Sequence, residues 1–477
     1  METSKTTPQS KSRMFAEFYR DVSACELACI CGGRLTGDDA IISSISTDSR
    51  DAQPGMLFVA IRGERLDGNQ FAQSALENGA AAALVSSLPS ENKGSFILVE
   101  DTAAALGKIA RRIKREINPF TIAVTGSVGK TTTKEYLTSV MSRKYKTHKT
   151  EGNFNNEIGL PTVLLKLKQD DEALVIECGM SAPGEISNLS RIAEPDIAVI
   201  TNIGTSHIGL LGSRENIAKA KLEIRDGLAP DGKLILNGSE PLLAGIGGAY
   251  YVSPREDDKD AFLRIIGFND TADGAVFTLK ASDGREFRDI AIPTHGRHTA
   301  LDAAYAFCAG LLHDIDEDSI RKGLTEYSPA AMRQNIYEFS GITVIEDCYN
   351  ASPESMLASL EVLRGLADKK GGRMCAVLGN MYELGNYSSD LHRKVGEAAA
   401  ALPLDLLIAV GYEALDIADS AVAGGLLSGS VFRCNDAAEA GILMREVLKT
   451  GDSVLIKGSR AMELERSAAI FKGGDIK

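Results

Sequence analysis

Val124-Thr125-Gly126-Ser127-Val128-Gly129-Lys130-Thr131-Thr132 follows the apolar run Thr121-Ile122-Ala123 and leads into a helix-forming stretch. A strand feeding a glycine-rich turn and then a helix start is the context a phosphate-binding loop requires. Gly126 and Gly129 permit tight turning and close backbone approach. Together with Ser127, Val128 and Thr132 they form a candidate nucleotide cradle, in which Lys130 neutralises the β and γ phosphates and the Thr131 hydroxyl can ligate Mg²⁺. Val124 stands where the first glycine of G-x-x-x-x-G-K-T is usual, so the strand and helix context supports the reading more than the pattern itself.

Outward from this loop, apolar strands alternate with amphipathic helices. Strands are expected at 121–124, 173–177 and 197–203, and helices from Thr131, near Ile186 and from Glu215. Continuous apolar strands in such an alternation mean a parallel sheet covered on both faces. Every strand of a parallel sheet ends on one edge, the edge that carries the phosphate loop. Glu177 closes one strand and His207 follows another, so both should face the nucleotide. A carboxylate there suits Mg²⁺, and a neutral imidazole suits a second metal ion or a transferred phosphoryl group. Glu177 as a turn partner, His207 as a satisfied loop histidine, and Lys219 and Lys221 as solvated helix charges are the plainer alternatives. A polar, turn-rich stretch at 232–293 reads as β-hairpins appended to this core, closed by an alanine-rich helix at 299–312.

Before the loop, strands at 57–61 and 81–85 and a helix at 71–79 describe a compact α/β module, and a basic helix at 103–116 ends at Asn118-Pro119, a pair that favours a turn. Beyond Ser328-Pro329 the alternation restarts, with strands at 343–346, 374–378, 406–410 and 453–456 and a helix at 352–363. The expected organisation is α/β in three domains, 1–117, 118–329 and 330–477, the last Rossmann-like but without G-x-G-x-x-G. The first 40 residues carry no recognisable chemistry.

A chain of 477 residues with 44% apolar composition has material for about three buried cores. Its 52 basic and 65 acidic side chains give a formal charge of −13, which disfavours nucleic acid and anionic membrane as partners. Neither an 18-residue apolar run nor an apolar core in the polar first thirteen residues is present, which points to a cytoplasmic chain without stable membrane insertion. Eight scattered cysteines are expected as reduced thiols, with Cys29 and Cys31 packed in a short helix rather than on a metal. No N-K-x-D sequence is found, so a GTPase switch is disfavoured.

The loop, Glu177-Cys178-Gly179-Met180, and Thr201-Asn202-Ile203-Gly204-x-x-His207 through Gly212-Ser213-x-Glu215-x-Ile217-Ala218-x-x-Lys221 together resemble the Mur ligase family, ATP-dependent amide-forming enzymes of peptidoglycan precursor synthesis. Ser46-Thr47-Asp48-Ser49-Arg50, Gly152-Asn153-Phe154-Asn155-Asn156, Asp347-x-Tyr349-Asn350-Ala351-Ser352-Pro353 and Leu378-Gly379-Asn380-Met381-x-Glu383-Leu384-Gly385 resemble the member that adds D-alanyl-D-alanine. The resemblance spans about residues 40–465. It implies an N-terminal UDP-binding domain, a central phosphate-loop ATPase domain and a C-terminal domain that binds ATP and D-Ala-D-Ala. The D-N-P-R-type sequence of the diaminopimelate-adding sister enzyme is not found.

Carried over by position, Lys130 and Thr131 would hold ATP phosphates and a first Mg²⁺ with Glu177, and His207 would bind a second Mg²⁺. Lys221 matches the lysine that CO₂ carbamylates to make an anionic metal ligand, which requires a neutral amine first. Arg333 would reach the γ-phosphate from the domain hinge and Asp347 the ribose. Ser46, Asp48, Ser49 and Arg50 would hold the UDP-muramoyl part, and Asn153, Asn156, Tyr349 and Asn350 would also touch substrate, with a local Asp48–Arg50 ion pair as the alternative. The usual Asn at both the Thr299 and Asp302 places is missing, which puts adenine recognition in doubt. The implied partners are UDP-N-acetylmuramoyl-tripeptide, with lysine or diaminopimelate at its third residue, and D-Ala-D-Ala; the implied state is a monomer. A sister Mur ligase, a folylpolyglutamate synthetase-like ligase and a nucleotide-hydrolysing regulatory protein stay open as alternatives.

Overall fold

The computed structural model describes residues 14–63 and 66–474; the polar first thirteen lie outside the described residues. Three sheets follow one another along the chain. The first has six strands, Phe15–Ser23, Ile41–Ser46, Met56–Val59, Ala82–Val85, Phe96–Leu98 and Arg34–Thr36 in spatial order, with antiparallel strands at both edges. Met56–Val59 and Ala82–Val85 are buried at every position, which is why they read as apolar runs. Residues 15–40 contribute the edge strand Phe15–Ser23, which the sequence reading missed, and helix Ala24–Cys31, the short helix expected around Cys29 and Cys31. Arg20 interrupts the buried series Ala16, Phe18 and Val22 and so breaks the strand's apolar alternation, as suits a half-exposed edge. Within that helix Cys31 is buried and Cys29 exposed.

Helix Thr102–Ile117 is capped by Asp101, whose carboxylate accepts from the N–H groups of Ala103 and Ala104, and stops at Asn118 in left-handed backbone (φ 54°). The second sheet then begins. Its nine strands run Glu286–Ile292, Ala275–Ala281, Leu263–Asp270, Ala249–Ser253, Lys233–Asn237, Ile197–Ile200, Phe120–Thr125, Ala173–Glu177 and Thr147–Lys149. The expected all-parallel core with appended hairpins needs correction. Lys233–Asn237 and Ala249–Ser253 extend the parallel part, Leu263–Asp270 joins it in parallel, and only the last two strands pair antiparallel. The buried run Leu234-Ile235-Leu236 is the mark of a covered parallel strand, masked in sequence by the turns on either side.

The third sheet orders Asn335–Phe339, Ile342–Glu346, Ser453–Lys457, Met374–Gly379, Leu406–Val410 and Val431–Cys434, parallel except at its first edge. Helix Pro353–Lys370 is longer than its apolar face suggested. Ser352 and Ser355 cap its start reciprocally, and Gly371 (φ 72°) ends it. Among the described residues no helix is long and apolar enough to cross a membrane.

Candidate active site

A cavity of about 650 Å³ opens between the C-terminal edges of the second and third sheets. Its floor is the turn between strand Phe120–Thr125 and helix Lys130–Met141. At Gly126 a Cβ would lie 1.8 Å from Thr201 Oγ1, and at Gly129 (φ 82°) it would lie 2.6 Å from Asp302 Oδ1, so only glycine lets the loop pass so close to its neighbours. The loop's amides are already oriented: Ser127 and Val128 N–H donate to Asn202 Oδ1 at 3.0 and 2.9 Å, and Gly204 N–H donates to Ser127 Oγ. Lys130 Nζ donates to the Gly126 carbonyl at 2.9 Å. Burial lowers its ammonium below the usual lysine range against the pull of Glu177.

Thr131 Oγ1 donates to Glu177 Oε2 at 2.9 Å, and Asn155 Nδ2 donates to Glu177 Oε1 at 2.8 Å. Arg333, arriving from the start of the third domain, donates from Nη2 to Thr131 Oγ1 at 3.3 Å while its guanidinium lies 4.2 Å from the Tyr349 ring centroid. Met332 and Gln334 on either side of it both hold left-handed backbone (φ 60° and 44°), so the hinge aims this side chain at a cost that its surroundings must sustain. His207 Nδ1, shielded from water, lies 2.7 Å from Glu383 Oε2, off the line of a straight hydrogen bond.

Lys221 lines the same cavity from helix Arg214–Leu222, 2% exposed and with no ion-pair partner among the described residues. Burial pushes its ammonium well below the usual range, and the charge of Lys130 adds to that. It is therefore not the solvated helix charge that periodicity alone allowed.

Asp347 lines the cavity, but its carboxylate is engaged internally. Oδ2 pairs with the buried Lys457 ammonium at 2.6 Å and accepts from Ser359 Oγ at 2.8 Å, and Oδ1 accepts from Gln334 N–H at 3.3 Å. Burial raises the Asp347 carboxyl, yet Lys457 outweighs this and holds it below the usual carboxylate range. Asn153, Asn156, Tyr349 and Asn350 also line the cavity, with Asn156 Oδ1 accepting from Gly159 N–H at 2.8 Å. The Thr299 hydroxyl turns back to the carbonyls of His295 and Gly296, both at 2.9 Å. Asp302 accepts from Thr133 Oγ1 at 3.0 Å, and burial pushes its carboxyl well up.

The N-terminal candidates stand apart. None of Ser46, Asp48, Ser49 and Arg50 lines this cavity. Ser46 is fully buried, its hydroxyl within reach of the Met14 carbonyl and the Asp51 carboxylate, to one of which its single proton is donated, and accepting from Asp48 N–H, so it holds the turn together from within. Arg50 is 73% exposed and forms the local ion pair with Asp48 at 2.6 Å. Asn155, Asn202, Glu383 and Lys457 escaped the sequence reading as site residues. Their signal was position: Lys457 ends a parallel strand on the edge facing the cavity, as Glu177 does.

The donor set fits a magnesium-like ion. No three His, Cys, Asp or Glu side chains converge among the described residues, so an ion at Thr131–Glu177 would complete its shell with phosphate oxygens and water, which is the habit of Mg²⁺.

Three family descriptions match in sequence: Mur ligase family, catalytic domain, over residues 41–114; Mur ligase middle domain over 124–310; and Mur ligase, glutamate ligase domain, over 332–460. The chain belongs to the Mur ligase family. Within that family it is 38% identical over 438 residues to the UDP-N-acetylmuramoyl-tripeptide–D-alanyl-D-alanine ligase of Bacillus subtilis, covering 90% of this chain and 93% of that protein. The crystal structure of MurF from Acinetobacter baumannii superposes with a TM-score of 0.85 at 32% identity, covering 94% and 98% of the two chains. MurF ligase from Thermotoga maritima, solved in complex with ADP, superposes with a TM-score of 0.79 at 29% identity, covering 90% and 96%.

Proposed function

We propose that this Mur ligase joins D-alanyl-D-alanine to UDP-N-acetylmuramoyl-tripeptide at the expense of ATP. The observation that carries the reading is the convergence of Lys130, Thr131 and Glu177 from the second domain with Arg333 from the third in one cavity. The Bacillus subtilis relative, alike across nine-tenths of the chain, supplies the substrate pair. Residues 1–117 would bind the UDP-sugar, 118–329 ATP, and 330–477 the nucleotide and the dipeptide.

The terminal carboxylate of the tripeptide attacks the γ-phosphorus, the bond to the β-phosphate oxygen breaks, and ADP leaves an acyl phosphate. The free amine of the dipeptide attacks the acyl carbon, and phosphate departs from the tetrahedral intermediate as the amine's proton passes to solvent. Bringing a carboxylate against a polyphosphate is the main electrostatic obstacle, which positioned cations offset. Lys130 swings from the Gly126 carbonyl to the β and γ phosphates, and the Ser127 and Val128 amides exchange Asn202 for phosphate oxygens. Arg333, held flat by Tyr349, presents its fork to the transferred group. Thr131 and Glu177 would hold one Mg²⁺, and His207 with a carbamylated Lys221 a second; bound there, the ions neutralise charge on the transferring phosphoryl group. Ser49, Arg50 and Asp48 would meet the UDP moiety, Arg50 by exchanging its local carboxylate for phosphate. Asn153, Asn156, Tyr349 and Asn350 would contact the peptide part, and Asp347 the ribose. The nucleotide substrates are soluble anions and the dipeptide is a soluble zwitterion, and we place the enzyme in the cytoplasm as a monomer.

Mass spectrometry of the product tests the reading. A UDP-muramoyl-pentapeptide formed from the two named substrates and ATP supports it, and no pentapeptide but addition of a single free amino acid to UDP-muramoyl-dipeptide would point to the sister ligase.

A further inference from the structure

The third domain does more than close over the nucleotide, because it grips the segment that carries His207. Glu383 lies in the loop after strand Met374–Gly379, and its Oε2 is 2.7 Å from His207 Nδ1. Its carbonyl accepts from Gly209 N–H at 3.2 Å. Two residues on, Gly385 sits so close to Gly209 that a Cβ on Gly209 would lie 2.6 Å from Gly385 N. Tyr387 then donates to the Gly212 carbonyl at 2.8 Å. From the other side, Glu354 in the first turn of helix Pro353–Lys370 accepts from Thr205 N–H at 2.7 Å, and Gly204 leaves room for its carboxylate.

His207 and Glu383 themselves both hold left-handed backbone, φ 64° and 67°. Residues other than glycine take that conformation where their surroundings impose it, and such positions gather at functional sites. Two of them meeting side chain to side chain across a domain junction is a second observation, independent of the distance.

We infer that Glu383 is a positioning residue for His207, so that the imidazole is aimed at its metal position only when the third domain is docked. The inference rests on the metal role given to His207 above. The carboxylate lies on the Nδ1 side of the ring, where straightening of the contact on metal binding would give the hydrogen bond by which outer carboxylates orient metal-binding histidines, and it leaves Nε2 as the nitrogen for an ion. Glu383 touches no reacting atom in this scheme. Gly209 and Gly385 are the close-packed backbone that lets it arrive, and Glu354 steadies the same segment at Thr205.

Binding of Mn²⁺ to the full chain, followed by electron paramagnetic resonance in the presence of a non-hydrolysable ATP analogue, tests this without turnover. Glu383→Gln should weaken the weaker class of Mn²⁺ site about tenfold and leave the affinity for the analogue unchanged, with Glu383→Asp recovering part of the loss. Gly209→Ala, which blocks the approach of Gly385 without touching the carboxylate, should weaken Mn²⁺ binding in the same way. Wild-type Mn²⁺ affinity in Glu383→Gln would overturn the inference, and wild-type affinity in Gly209→Ala would overturn its dependence on docking. A wild-type chain that binds Mn²⁺ at two sites but forms no pentapeptide product would sink the proposed reaction and leave this inference standing.

Discussion

Thr131 Oγ1 and Glu177 Oε2 are 2.9 Å apart, the hydroxyl at the start of the phosphate-loop helix and the carboxylate at the end of the neighbouring strand. Parallel pairing of Phe120–Thr125 with Ala173–Glu177 places Val124 beside Glu177, so the distance follows from strand register rather than from a flexible loop. Glu177→Ala should lower turnover by about 10³-fold while UDP-substrate binding stays nearly intact. Steady-state kinetics beside calorimetry of the UDP-substrate would check it, and a wild-type rate would remove Glu177 from the metal position.

Lys221 is 2% exposed with no ion-pair partner among the described residues, and burial pushes its ammonium well below the usual lysine range, the direction that the proposed carbamylation by CO₂ requires. Lys221→Ala should lose activity and regain part of it with added short carboxylates. Failure of rescue across a concentration series would count against carbamylation.

The Arg333 guanidinium lies over the Tyr349 ring, 4.2 Å from its centroid, while donating to Thr131, a placement in which its planar shape would matter. Tyr349→Ala should cost about tenfold in kcat, the worth of a partly desolvated cation–π contact, and Tyr349→Phe should be close to wild type. Arg333→Lys, which keeps the charge and loses the plane, should fall by more than tenfold. Equal rates for all three would show that the stacking is incidental.

Glu194 ties the first domain to the second. Arg111 and Arg115 of helix Thr102–Ile117 both bond its carboxylate, and Lys114 bonds its carbonyl. Burial alone would raise this carboxyl, but Arg115 and Arg111 hold it down to about 2. A depressed carboxyl stabilises the fold above its unfolded value near 4.3, and that stability is lost as pH falls toward the folded value. Glu194→Gln should lose about 2 kcal/mol at pH 7, and the deficit should shrink as pH drops from about 4.3 toward about 2. Urea midpoints of the two chains across that range would show it; a deficit that does not vary with pH would contradict the ion-pair origin.

Much of this was legible in the sequence wherever one residue type at one place carries a physical demand. The loop declares itself because Gly126 and Gly129 have no tolerated substitute, and Glu177 because it interrupts an apolar run at a strand's end. Strand direction in 233–292 was less legible, since turns on both sides of Lys233–Asn237 look like hairpin turns until the sheet is assembled. Glu383 and Lys457 could not be read as partners at all. Each acts on a residue more than a hundred positions away: the docking of domains brings Glu383 to His207, and the pairing of strands Ile342–Glu346 and Ser453–Lys457 within the third sheet brings Lys457 to Asp347.

The most direct test of the proposed ligase is phosphate release measured with ATP and each substrate alone and then together. The result expected is release that requires UDP-muramoyl-tripeptide and D-Ala-D-Ala at once, one phosphate per peptide bond formed. Steady release with ATP alone, or with either substrate in the absence of the other, would contradict it and mark the chain as a nucleotide hydrolase.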